Sequence, residues 1–299
     1  MKKITTLALG LMLASTAFAQ KANSAAQIPT FQEAMGKYFL VGAAINTALP
    51  NGQDPAAEEV VKKQFNQVVA ENCMKGEVNH PEVNRFDFTD GDKLADWAEK
   101  NGKTLIGHCL VWHSQPPKWM FTDAKGNLVS REVLIGRMYN HIMTVVTHYK
   151  GRVKGWDVVN EAFEDDGSYR KSLYYKIIGP EFIELAFRFA HEDVNMLPNP
   201  EGFGGAEISQ KFELQKKFNP YVNGLDKKAQ KLFNQRYLDL FKIVERHKDV
   251  ISRVTFWGVN DGHSWLNGWP IPGRTNYPLL IDRNNEVKPV VKEIVKLFK

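Results

Sequence analysis

Five short runs of apolar and β-branched residues recur along the chain, at residues 39–45, 67–74, 104–111, 153–159 and 254–259. Each gives way to a stretch whose apolar positions return at helical spacing. A near-continuous apolar run of this length suits a strand covered on both faces, and strands alternating with amphipathic helices predict a parallel sheet with helical crossovers. Two of the helices read clearly. Residues 180–191 open at Gly179-Pro180 and set Phe182, Ile183, Ala186, Phe187 and Ala190 at helical spacing. Residues 225–247 place Leu232, Leu238, Leu240, Phe241 and Val244 largely on one face. No repeat or low-complexity tract interrupts this order, and the Gly- and Pro-rich piece at 197–205 reads as one loop. One domain is predicted.

In parallel-strand barrels chemistry gathers at the C-terminal strand ends, where the βα loops meet. The polar endings of the runs therefore carry information. The second run finishes in Glu71-Asn72-Cys73-Met74-Lys75, and the third in Gly107-His108 followed by Trp112-His113-Ser114-Gln115. The fourth finishes in Asn160-Glu161 and the fifth in Asn260-Asp261. Four strands end in groups that can bond a hydroxyl or carry a proton.

The ends of the chain and its composition narrow the class. Lys2 and Lys3, an apolar stretch over residues 4–13 and the small-residue ending Ala17-Phe18-Ala19 have the anatomy of a cleavable secretory signal. The apolar stretch is shorter than the roughly 20 residues that span a bilayer. Residues 1–19 are thus expected to be a leader, and residues 20–299 the catalytic domain of a secreted or periplasmic, monomeric protein without a membrane span. The net charge of +5 comes from Lys and Arg dispersed among Asp and Glu, which argues against nucleic acid as a partner. Cys73 and Cys109 each sit in an apolar run, where buried free thiols are expected. The two Cys and eight His form no metal-ligand spacing, so neither metal nor cofactor is expected.

Cleaving a glycosidic bond needs a carboxylic acid that protonates the leaving oxygen, and a second carboxylate that attacks the anomeric carbon or activates water. Sugar rings also need aromatic faces, and Trp112, Trp257, Trp265 and Trp269 fall near the polar strand ends. Four segments carry a specific resemblance. They are Glu71 to Lys75, Gly107-His108 through Trp112-His113-Ser114-Gln115 to Pro117, Trp156-Asp157-Val158-Val159-Asn160-Glu161-Ala162, and Thr255-Phe256-Trp257-Gly258-Val259 through Asp261 to Ser264-Trp265-Leu266. With these the chain resembles the family-10 glycoside hydrolases, the (β/α)8 TIM-barrel retaining endo-1,4-β-xylanases. The resemblance implies that Glu161 is the acid/base carboxyl and that Asn160 bonds the sugar 2-hydroxyl. It further implies that Glu71, Asn72, Lys75, His108, Trp112 and Gln115 hold sugars on the non-reducing side of the cut, and that Trp257 and Trp265 wall the cleft. Xylan or xylo-oligosaccharides are the implied partners. Phe86-Asp87-Phe88 and Trp119-Met120-Phe121 read as structural aromatics, and His191 as a helix C-terminal partner.

The resemblance breaks at one place. In the family, strands five and six follow the fourth helix, and strand seven ends in a Thr-Glu-Leu-Asp-like segment whose Glu is the nucleophile. Here the helical run through Glu192 passes directly into Asp193-Val194-Asn195-Met196-Leu197-Pro198, which resembles the tail of strand seven. At roughly 30 residues per βαβ unit, about two units are missing. The expected fold is therefore an incomplete barrel with an internal deletion between Glu192 and Asp193. Glu192 continues the helical pattern and lacks the Leu expected between nucleophile and Asp, so it is read as a helix residue. The expected activity is endo-1,4-β-xylan hydrolysis. The alternatives are a xylan-binding remnant without a nucleophile, or another (β/α)8 β-glycanase acting on cellulose or mannan.

Overall fold

The computed structural model describes residues 28–191, 219, 221–269 and 273–299. The expected leader at residues 1–19, Glu192 and the junction after it lie outside the described residues. Strands and helices alternate as predicted. In chain order they are α1 (Phe31–Met35), β1 (Leu40–Ile45), α2 (Pro55–Gln64), β2 (Gln67–Ala70), α3 (Gly76–Asn79), α4 (Thr89–Lys100), β3 (Thr104–Trp112), α5 (Arg131–His148) and β4 (Val153–Asn160). After these come α6 (Leu173–Ile178), α7 (Phe182–His191), α8 (Lys227–Arg246), β5 (Arg253–Phe256) and α9 (Val291–Lys296).

Side-chain caps fix where helices begin. The Asp54 carboxylate accepts from the Ala57 amide, with Pro55 in the first helical turn of α2, and Asp226 does the same for α8 through Ala229. Each such cap stabilises its helix by about 1 kcal/mol. Two strands are shorter than their apolar runs. β2 stops at Ala70 because the next residues turn, with the Lys75 amide bonding the Asn72 carbonyl. β5 stops at Phe256 because the chain bends at Gly258, whose φ of +128° only glycine holds without strain.

All five strands are parallel, in the order β4-β3-β2-β1-β5. The last strand pairs with the first, Leu40 opposite Arg253 and Val41 opposite Val254. This is how a (β/α)8 barrel closes, so β5 holds the position of the eighth strand. Positions five to seven have no strand among the described residues, and there no strand pairs with the outer edge of β4 or β5. The fold is an incomplete TIM barrel.

Strand alternation separates two layers. Val41, Ala43 and Ile45 of β1, Val68 and Ala70 of β2 and Trp156 and Val158 of β4 pack outward with Val61, Leu94, Val145, Ala186 and Ile294 in the main core. Each fully buried Leu, Ile or Val contributes roughly 1.5–3 kcal/mol. Gly107 lets β3 lie beneath the Trp156 indole, since a Cβ there would stand 2.2 Å from the ring. The inner layer is smaller, with Ala44, Val69 and Ile106 packed against Trp257.

One expectation for α8 changes. Phe241 and Val244 are buried, but Leu232 and Leu240 are exposed, as is Ile243 beside them. In a closed barrel the neighbouring βα units flank this helix on both sides; among the described residues no βα unit fills the positions before it in the barrel order, and its apolar surface is only partly covered there.

Candidate active site

The site forms where β2, β3, β4 and β5 end. Glu161 follows directly on β4 and holds φ at +50°, in the left-handed region that a non-glycine residue rarely occupies. Such strain persists where neighbours fix it. Here the Arg170 guanidinium donates to the Glu161 carbonyl at 3.0 Å and pairs with Glu164 at 3.2 Å. The Trp112 indole N–H donates to the Glu161 Oε2 at 2.9 Å, and His113 Nδ1 stands 3.8 Å from the same oxygen. Burial pushes the His113 imidazole below its ordinary value, and the Arg170 charge adds to this against the attraction of Glu161 and Glu164.

A second group of polar side chains converges beside Trp112. The Lys75 ammonium donates to Asn72 at 2.8 Å and to Gln115 at 2.6 Å, and lies 4.5 Å from the centre of the Trp112 ring. Gln115 in turn donates to Glu77 at 2.7 Å. Lys75 is buried, and burial holds its amine below the usual lysine range despite the attraction of Glu71, Glu77 and Glu161. Burial likewise raises the Glu71 carboxyl, with Lys75 and His263 opposing.

His108 points into the barrel and bonds the Asp157 carboxylate through Nδ1 at 3.0 Å, and its ring meets Trp257 edge-on at 4.7 Å. A carboxylate only accepts, so Nδ1 carries the proton in this bond. Burial pushes the Asp157 carboxyl upward, but the hydrogen bond from His108 and the Arg253 guanidinium outweigh it and hold the carboxyl below its usual range.

The structure thus draws Lys75, Asn72, Gln115 and Trp112 into one linked set with Glu161, and places His108 with Trp257 beside it. Glu71 is coupled to the set through Lys75. Asn160 ends β4 opposite Trp112 in the ladder. Trp265 stands apart on a 3-10 turn, 46 % exposed, and among the described residues its ring joins none of these contacts. Sequence reading did not single out His113, Asp157, Arg170 or Arg253. Asp157 could have been found: it shares the inward parity of Val159 and Glu161 on β4, and a charge at an inward strand position needs a partner. Asp261 turns structural, since its carboxylate pairs with Lys288 at 2.8 Å and accepts from the Leu279 amide. Cys73 and Cys109 are buried free thiols, as expected, and among the described residues no His, Cys, Asp and Glu cluster has metal-binding geometry.

A parallel βα sheet whose strand ends gather a carboxyl, indoles, amides, an amine and an imidazole defines a carbohydrate-cleaving enzyme of the TIM-barrel class. The profile of Glycosyl hydrolase family 10 matches residues 30–197 and 210–297, and the chain belongs to that family. It is 48 % identical to Endo-1,4-beta-xylanase A of Xylanibacter ruminicola, with 100 % of each chain covered. That alignment runs over 373 positions against 299 residues here, so about 74 positions of the relative have no counterpart. The Beta-1,4-xylanase of Dictyoglomus thermophilum is 32 % identical, with 98 % of each chain covered. Among solved structures, a GH10 endoxylanase retrieved from sugarcane soil metagenome superposes with a TM-score of 0.79 at 33 % identity, covering 89 % of this chain and 99 % of that one. The unmatched positions agree with the absence of strands five to seven among the described residues: the chain is a family-10 glycoside hydrolase with an internal deletion.

Proposed function

We propose that this chain is an endo-1,4-β-xylanase by design of its cleft, exported to the periplasm or beyond by the leader at residues 1–19, and that Glu161 protonates the leaving oxygen of an internal β-1,4-xylosidic bond. The observation that carries this reading is the Trp112–Glu161 hydrogen bond at 2.9 Å. It fixes one carboxyl oxygen against Trp112, whose ring also carries the Lys75 ammonium, so the acid borders the groups read as holding a sugar on the non-reducing side. Lys75, Asn72 and Gln115 supply donors and acceptors for its hydroxyls, and His108 stands beside them. The xylanase relatives support xylan as the substrate class.

Retention by double displacement requires a second carboxylate roughly 5–5.5 Å from the first. Among the described residues, the groups that touch the Glu161 carboxylate are Trp112 and His113, and none of the strands there holds the position that bears the family's nucleophile. This favours a second reading, a xylan-binding remnant that keeps the sugar contacts and has lost the covalent route. A reducing-sugar assay on xylan, cellulose and mannan separates the possibilities. Hydrolysis confined to xylan and abolished by Glu161→Gln supports the enzyme; retention on insoluble xylan without product supports the remnant; cleavage of cellulose or mannan alone overturns both.

A further inference from the structure

Near its C-terminal end β3 carries one residue more than its partner. His108 stands opposite Asp157 and Val111 opposite Val159, so Cys109 and Leu110 of β3 face Val158 of β4 alone. Such a bulge takes a residue out of the ladder and re-aims the side chains that follow it. Among those is Trp112, whose indole N–H bonds Glu161. Whatever holds the bulge therefore holds the direction of that indole.

Helix α5 holds it from behind. His141 Nε2 lies 3.1 Å from the Leu110 carbonyl, and since a carbonyl only accepts, Nε2 carries the proton. Burial, helped by His80 and opposed by the Leu110 bond, pushes the His141 imidazole down to about 3, so the ring stays neutral in that tautomer. Its plane is set by stacking: the His80 ring lies 5.5 Å away at 11°, and is itself stacked on Phe86 at 3.7 Å. One turn earlier on α5 the Arg137 guanidinium donates to the carbonyls of Trp119, Met120 and Thr122. The helix thus grips both β3 and the loop that leaves it.

A core helix position needs no imidazole. Burying a polar ring costs free energy unless its bonds are made, and the bond this ring makes is to the bulge. His141 also lines, with Lys75, Trp112 and Gln115, a cavity with about 10 Å³ of room, enough for about one water. The indole has little slack while the ring is in place and gains it once the ring is cut back.

Resting on the reading of Glu161 as the acid, we propose that His141 is a positioning residue of the reaction: through the Leu110 carbonyl it fixes the β3 bulge and so aims the Trp112 indole at the Glu161 carboxylate. The imidazole is buried and acts on the acid only along that path.

The test follows the Trp112 indole N–H in proton–nitrogen correlation spectra of the full chain, with the peak assigned through Trp112→Phe. Bonded to a carboxylate, this proton resonates downfield and exchanges slowly with deuterium oxide, and Glu161→Gln should move the peak. In His141→Leu the peak is expected upfield, with exchange about tenfold or more faster, as the loss of a hydrogen bond to a charged group implies, and Glu161→Gln should no longer move it. His141→Gln, whose amide can donate to the Leu110 carbonyl, should restore the parent spectrum. A measurement on the parent chain needs no variant to fold: its His141 ring should show Nε2 protonated and Nδ1 bare from about pH 8 to about pH 5. If His141→Leu melts at a lower temperature but leaves the Trp112 peak and its response to Glu161→Gln unchanged, His141 only fills the core and the proposal is overturned. A ring protonated at Nδ1 in the parent chain overturns it equally. A parent chain that neither cleaves xylan nor is retained on it overturns the xylan reading instead, while the spectra decide the part of His141 on their own.

Discussion

Arg253, on β5, forms an ion pair with Asp157, on β4, although three strands separate them in the sheet. The sheet is curled enough for its two edge strands to meet through their inward side chains. The same carboxylate holds His108, so one buried acid ties the curvature of the half-barrel to the orientation of a site residue.

Both members of this pair are nearly buried, with 13 % and 9 % of their side chains exposed. Removing Arg253 leaves the buried Asp157 carboxylate with the His108 hydrogen bond alone, at a cost toward the lower end of the roughly 3–5 kcal/mol of an unpaired buried charge. Arg253→Met is therefore expected to lower stability by about that amount in urea unfolding followed by far-ultraviolet circular dichroism. A change below about 1 kcal/mol would mean that water reaches Asp157 freely.

The pair also sets an acid limit. The folded Asp157 carboxyl lies below its unfolded value, so the unfolded chain binds the proton first as pH falls. Its stabilisation is complete above the unfolded value of about 3.9 and is lost as pH falls through the lower folded value. Stability measured from pH 6 down to pH 3 should thus fall less steeply in Asp157→Asn than in the parent chain, and parallel curves would refute the assignment.

Much of the fold was legible because the strands are buried on both faces and so read as unbroken apolar runs. The boundaries were less so: the run at residues 67–74 hides a turn after Ala70, and Arg253 begins a strand that its neighbours alone announce at Val254. Glu161 and Trp112 were legible from their motifs. Asp157–Arg253 was not, since its members lie 96 residues apart and only the curl of the sheet joins them. Nor was the exposure of Leu232 and Leu240, which depends on which neighbours α8 has.

The Trp112 indole N–H contributes to Glu161 beyond stacking. A hydrogen bond to a charged group stabilises by about 1.5–3 kcal/mol, which corresponds to about tenfold or more in rate when it is lost from a transition state. Trp112→Phe keeps a ring and loses the donor, so xylan hydrolysis should fall about tenfold or more with retention on xylan nearly unchanged. Equal losses in both would assign Trp112 to stacking alone.

The two thiols should be inert in the folded chain. Burial pushes the Cys73 thiol up to about 12, with nearby carboxylates adding to the shift, and drives Cys109 upward as well. Only the thiolate reacts. Ellman's reagent at pH 8 is expected to label neither until urea unfolds the protein, and then both at once. Prompt labelling of one thiol in the native protein would show that its part of the barrel opens locally.

Among the described residues no strand pairs with the outer edges of β4 and β5, and these edges make the strongest prediction about the whole molecule. Open parallel edges offer backbone donors and acceptors to any passing strand, and closed barrels remove that hazard. The apolar exposure on α8 adds to it. Inserting between Glu192 and Asp193 the part of the Xylanibacter ruminicola relative that holds its strands five to seven should cover both edges and bring a carboxylate opposite Glu161. The restored chain is expected to melt at a higher temperature, resist aggregation on heating and hydrolyse xylan faster by several orders of magnitude, with Glu161→Gln abolishing the gain. If the short chain already matches it in melting temperature and rate, the edges are closed in solution by other means and the missing strands are dispensable.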